Sequence, residues 1–336
     1  MKLTKAKYNW LVAQYNYRKN KEQLIEISDE EYERLIGETV PQGPIGNTES
    51  QGPTGNTEPM NPEQENSSII TYTALSKLIE NNDNDYKEGY LNMCDFGAPI
   101  KSHTFENNIG IIEFYGKLTK IGSYAFWDCD NLISINIPNT ILTIRSGAFH
   151  GCNLLSSVVL SNNLKNIETG VFGLCNSLSN IIIPNSVTQI GSDAFSGCKS
   201  LTEINIPTSL TKIKSSVFSC CESLTEINIP NSVTQIGSDA FSGCKSLTEI
   251  NIPNSVTSIN SMVFSGCSSL TNVILPNTIY SINTAAFGSC INLQNINIPE
   301  SIIHIDNDAF KSCIKLSNEC KEKILAINPN CSFQIN

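Results

Sequence analysis

The chain has 336 residues, 40% hydrophobic and only 16% charged, so it can bury a core while Ser, Thr and Asn supply most of its polar surface. A net charge of −10 argues against nucleic acid and against an anionic membrane surface as partners, because both require clustered Lys and Arg. No apolar run of about 18 residues occurs, so no membrane-spanning segment is expected.

Residues 1–40 read as an attachment segment. The first 21 residues hold six Lys or Arg and no acid, whereas residues 22–38 hold seven acids and one Arg. The apolar core around Leu11 is too short for a secretory signal, so export by the standard route is not expected. Tyr8, Leu11, Val12 and Tyr15 fall at helical spacing and form an apolar stripe for an assembly partner or for packing on residues 24–36. A capping box from Ser28 to Glu31, with Gly37 at the far end, predicts a short helix there.

The stretch PQGPIGNTESQGPTGNTEP follows, with Gly43, Gly46, Gly52 and Gly55 on a three-residue period. It resembles a decayed collagen-like tract of the kind found in phage fibres and bacterial surface stalks. Glu49 and Glu58 occupy glycine slots, which oppose a triple helix, so residues 41–68 are expected to be a linker.

The remainder is governed by one period. Phe stands at 126, 149, 172, 195, 218, 241, 264, 287 and 310, a constant step of 23. Cys follows each Phe by three residues, from Cys129 to Cys313, and Leu follows by six. Within a unit, LTEINIP alternates with period two around Ile204 and Ile206, which predicts a strand with one buried face. Proline then ends the strand because it has no amide hydrogen. SVTQI supplies a second short extended piece with Val187 and Ile190 inward, and GSDAFSGC turns the chain back. One such unit cannot bury its apolar face, but a stack of nine can. The expected fold is a regularly wound repeat solenoid with a parallel β-sheet, plus the small helical N-terminal segment.

The pattern L-x-x-I-x-I-P-x-x-[VIL]-x-x-I-x-x-x-A-F-x-x-C resembles the BspA-type leucine-rich repeat of bacterial surface proteins and some eukaryotic parasites. Residues 96–126 are similar to the cap that precedes such arrays, with Ile112, Phe114, Leu118 and Ile121 in repeat phase, His103 in place of Phe and Glu106 in place of Cys. The resulting division is an N-terminal cap over 69–111, repeats over 112–313 and a C-terminal cap over 314–336. A closing helix capped by Ser317 or Asn318 is expected in the last of these.

The nine repeat cysteines read as a buried core ladder. No C-x-x-C pair is present, Cys220 and Cys221 are adjacent, and the three histidines, His103, His150 and His304, do not recur with the thiols. No metal or cofactor site is expected. Cys94, Cys320 and Cys331 lie outside the ladder, and a Cys320–Cys331 bridge is one alternative for the last two.

On the outward face of the first strand, Glu203, Glu226 and Glu249 stack on consecutive coils beside Asn205, Asn228 and Asn251. The asparagines, with Asn136 and Asn297 in the same column, are expected to bridge amide to amide along the axis. The glutamates are a candidate patch for a protein or glycan ligand. The competing reading is duplication, since residues 183–207 and 229–253 are identical. Val159, Ile182 and Ile274 add apolar area in the asparagine column.

With no nucleophile elbow, phosphate loop, metal motif or dinucleotide fingerprint, the expectation is a non-enzymatic recognition or attachment protein. The layout of small N-terminal segment, collagen-like stem and folded tip suggests a virion-associated, host-facing protein such as a phage fibre or capsid decoration. The alternative is a bacterial or parasite cell-surface adhesin. A homo-oligomer is left open.

Overall fold

The computed structural model describes residues 68–81, 90–92 and 96–334. The expectations for Tyr8, Leu11, Val12 and Tyr15, for the collagen-like tract and for Cys94 lie outside the described residues.

Residues 118–313 form the expected parallel solenoid. Each full coil contributes two short extended pieces and one turn. The first-strand column holds β7 (Leu132–Asn136), β9 (Ser157–Val159), β14 (Glu249–Asn251), β16 (Asn272–Ile274) and β18 (Asn295–Ile296). The second column holds β6 (Lys120–Ile121), β8 (Thr143–Ile144), β10 (Asn166–Ile167), β11 (Gln189–Ile190), β12 (Lys212–Ile213), β13 (Gln235–Ile236), β15 (Ser258–Ile259), β17 (Ser281–Ile282) and β19 (His304–Ile305). Registers step by 23 residues, as in Ile250 opposite Val273 and Ile167 opposite Ile190.

The turn column gives the stack its core. All nine repeat phenylalanines are at most 1% exposed. Their rings lie nearly parallel, with centroids 4.9 to 5.8 Å apart from Phe126 to Phe310, a spacing at which aromatic pairs attract beyond simple area burial. Residues at positive φ two before and two after the Phe tighten every turn from Phe126 to Phe287, and in the last turn only Ser312, two after Phe310, does so. Gly197 fills the latter place in one coil (φ 75°), but Leu174 and Cys220 fill it in others (φ 59° and 58°). Glycine is thus favoured there rather than required.

The N-terminal cap departs from the sequence reading. β1 (Ser68–Ala74) runs antiparallel between β5 (Ile109–Phe114) and β7, and β4 (Ile100–Glu106) pairs outside β5, giving the order β4-β5-β1-β7-β9. A two-residue turn with both Asn107 and Asn108 at positive φ joins β4 to β5, the geometry that suits a tight hairpin. Ile112 and Phe114 are buried in repeat phase, yet they do not stack directly on the first full coil, because β1 is interposed. His103 does not stand in for a stacked Phe either. Phe96 takes that place, edge-on to Phe126 at 6.0 Å, while His103 sits in a hydrogen-bonded cluster on β4. β2 (Glu80–Asn81) and β3 (Leu91–Asn92) form a separate short parallel pair.

At the other end, α1 (Asn318–Ile327) starts at Ser317, whose side chain accepts from the Cys320 amide. Cys320 and Ile324 bury its inner face, and Phe333 packs on Phe310 at 6.5 Å. Cys320 and Cys331 are unbridged: each thiol donates to a backbone carbonyl, that of Ile296 at 3.3 Å and that of Asp306 at 3.7 Å.

Candidate binding face of the repeat array

The repeat cysteines occupy the core. All nine are 0% exposed, and in eight successive coils the thiol donates to the Phe carbonyl of the coil before, at 2.9 to 3.2 Å. Burial pushes Cys129, Cys198 and Cys267 up to about 12 and holds Cys152, Cys175, Cys221, Cys244 and Cys290 well above the usual thiol range. Nucleophiles and metal ligands need the thiolate, which such sites suppress. Among the described residues, no group of three or more His, Cys, Asp or Glu could hold a metal ion. No described helix is long and apolar enough to cross a membrane.

The outward face of the first-strand column is different. Between β9 and β14 the chain keeps the coil geometry, but residues 180–183, 203–206 and 226–229 form no strand. Thr225 still donates to Thr202, and Thr248 to Thr225, at 3.3 and 3.4 Å. Beyond those threonines no backbone–backbone hydrogen bond joins residues 203–206 to 226–229. An open groove of about 600 Å³ lies over this stretch, lined by residues 180–182, 203–205, 226–228 and 249–251.

The structure therefore brings together all six residues singled out from the sequence, Glu203, Glu226, Glu249, Asn205, Asn228 and Asn251, in that one groove. Their bonding was not legible beforehand. Asn205 does not bridge to another amide. Its Oδ1 accepts from the Ile183 amide at 3.0 Å and its Nδ2 donates to the Ile183 carbonyl at 2.9 Å, so one side chain substitutes for a missing strand partner. Asn297 does the same for Leu275. Amide-to-amide bridging occurs in a neighbouring column instead, from Asn295 to Asn272 at 3.0 Å. Glu203 accepts from Asn180 at 3.1 Å. Glu226, Glu249, Asn228 and Asn251 have no side-chain hydrogen bond or ion pair among the described residues. Asn180 was missed, although it stands one 23-residue step before Glu203 and the same period would have found it. Ile204, Ile227 and Ile250 form the floor of the groove.

A second polar cluster lies in the N-terminal cap. His103 Nδ1 is 2.7 Å from Glu80 Oε1, and its Nε2 is 2.7 Å from the Tyr72 hydroxyl. A neutral ring that donates to Glu80 and accepts from Tyr72 satisfies both contacts. Burial lowers the His103 pKa below its ordinary 6.5 and raises Tyr72 to about 12. Tyr72 is 0% exposed and the His103 side chain 2%, so the cluster fastens β1, β2 and β4 together and meets solvent only at Glu80.

A family model for the BspA type leucine-rich repeat region, in six copies, matches residues 98–202 and 188–317. Among solved structures the chain is similar to a leucine-rich repeat protein of T. pallidum, at 30% identity and TM-score 0.50, over 61% of this chain and 92% of that one. It is also similar to a leucine-rich repeat protein from Eubacterium ventriosum, at 28% identity and TM-score 0.48, over 61% of this chain and 59% of that one. A leucine-rich cell surface protein from Faecalibacterium prausnitzii matches at 21% identity and TM-score 0.36, over 86% of this chain and 100% of that one. A search of curated proteins gave no match.

Proposed function

Since the chain belongs to the BspA-type leucine-rich repeat family, we propose that it is a non-enzymatic recognition protein that binds its partner on the outward face of the first-strand column and works as a cell-surface adhesin. The observation that carries this reading is the groove over residues 180–251, where unpaired carboxylates and amides stand above an apolar floor in a gap of the sheet. Polar groups left open on a rigid scaffold are recognition elements, because they bond to a partner without any rearrangement of the core. The repeat family supports the surface address over the virion reading, which rests on residues 1–68 alone.

The test is a triple charge reversal, Glu203→Lys, Glu226→Lys and Glu249→Lys, in the full chain. Binding to an array of host proteins and glycans should fall at least tenfold while the melting temperature is held or raised. Unchanged binding would remove this face from consideration. The address is checked by protease treatment of intact producing cells, which should digest the repeat domain; protection in cells and recovery in particles would favour the virion.

A further inference from the structure

We infer that the groove takes a basic, extended polypeptide segment, laid along the solenoid axis across the coils of Glu203, Glu226 and Glu249, with apolar side chains at its two ends. This rests on the binding-face reading above and adds the chemistry of the partner.

Three observations define the occupant. Glu226 and Glu249 point out of successive coils with no cation beside them among the described residues, whereas Lys245 with Glu222 and Arg145 with Glu168 pair in other columns. Carboxylates stacked at the ~4.8 Å spacing of adjacent strands repel one another, and a Lys or Arg between them reverses that term. Next, Ile182 and Ile274 bracket the acidic stretch in the asparagine column and are 75% and 68% exposed. They lie four repeats apart, roughly 19 Å at strand spacing. Finally, the Asn228 and Asn251 amides and the open backbone of 226–229 offer donors and acceptors suited to a partner's peptide groups.

The same observations disfavour a sugar ligand. Among the described residues the groove is lined only by Asn, Ile and Glu, with no aromatic plate for the apolar face of a sugar ring, and the glutamates repel acidic glycans. In an extended segment alternate side chains face the same way at about 6.6 Å per pair of residues. A seven-residue segment with apolar residues first and last and cations third and fifth therefore matches both the brackets and the charges.

The probe is the labelled peptide acetyl-Leu-Thr-Lys-Thr-Lys-Thr-Leu-amide, with versions carrying Glu for Lys or Ser for Leu, followed by fluorescence anisotropy against the full chain. The Lys peptide should bind, weaken about tenfold as salt is raised from well below to well above physiological strength, and lose at least tenfold in affinity against Glu226→Lys/Glu249→Lys. The Ser-ended version should bind several-fold more weakly. Equal binding of the Glu peptide, no binding of the Lys peptide, or unchanged affinity in the double variant overturns the inference. If the Lys peptide fails while a glycan binds and is lost in the charge-reversed chain, the face reading survives and the partner is a sugar. If sedimentation shows a dimer that the double variant abolishes, the occupant is a second copy. If no ligand of the chain responds to any groove substitution, the face reading fails as well.

Discussion

Each internal Phe carbonyl of the array accepts twice. Phe218, for example, takes the amide of Cys221 in its own coil at 3.2 Å and the thiol of Cys244 in the next at 3.2 Å. The sulfur thus joins neighbouring coils inside the core, where Ala would leave a gap and remove one donor, and Ser would bury a more strongly hydrated group. Cys244→Ala should cost about 1–2 kcal/mol in a denaturant titration, the sum of a small cavity and one weak hydrogen bond. Loss of less than a few tenths would show that the thiol only fills space. Reactivity follows from the same geometry. Of the twelve described cysteines, Cys220 alone is exposed. A water-soluble thiol reagent should modify Cys220 within minutes in the folded protein, and the nine ladder thiols only after denaturant is added. Mass mapping of the labelled peptides checks this, and early labelling of Cys198 or Cys244 would contradict the buried ladder.

At the level of elements, the gap in the sheet and the cap cluster make distinct predictions. Coils at 203–206 and 226–229 are held to each other by the threonine bonds, by β12–β13 pairing and by the turn column, but not along the groove. Their amides should exchange with deuterium faster than those of β16, which is paired on both sides. Replacing Glu226 and Glu249 with Gln removes like-charge repulsion of up to about 1 kcal/mol per neighbouring pair and should slow that exchange; faster exchange would mean that the charges are not what opens the sheet. In the cap, His103 has a folded pKa below its ordinary 6.5 because of burial. The unfolded chain therefore takes up the proton first, so the contribution is fully present above pH about 6.5 and is lost as the pH falls through the folded value. Melting followed from pH about 7.5 down to 5 should show this loss, and His103→Gln should flatten it. The elements themselves were unequally legible. Phe, Cys, Leu and the strand isoleucines could be placed from the sequence because each recurs in an identical environment every 23 residues. The interposed β1 could not, since its partners lie some 40 and 60 residues away and nothing in SIITYTA repeats. Nor could the Asn205 clip on Ile183, because it depends on a strand pairing that the identical motif does make elsewhere, at β14.

The repeat array behaves as a one-dimensional stack, in which each coil is stabilised by its own core and by its two neighbours. That makes fold and binding separable by excision. Residues 183–207 recur unchanged at 229–253, an offset of 46 residues or two repeats. Deleting 183–228 joins Ile182 to Ile229 and leaves the local sequence across the junction native for 25 residues. The Phe and Cys columns stay in phase, while both caps, β1 with β4 and β5 at one end and α1 at the other, are untouched. The shortened chain should fold cooperatively, roughly 10 Å shorter, with a denaturant m-value lower by about a fifth because less surface is exposed on unfolding. It retains Glu249 but not Glu203 or Glu226, and Ile182 now stands directly before the coil of Asn251. The bracket that defines the groove is thereby halved, so the basic peptide should no longer bind. Folding with loss of binding would locate recognition in the removed coils and assign stability to the period alone. An insoluble or unfolded product would show that the middle coils contribute cooperatively beyond their neighbours, and persistence of peptide binding would place recognition somewhere other than the coils of Glu203 and Glu226.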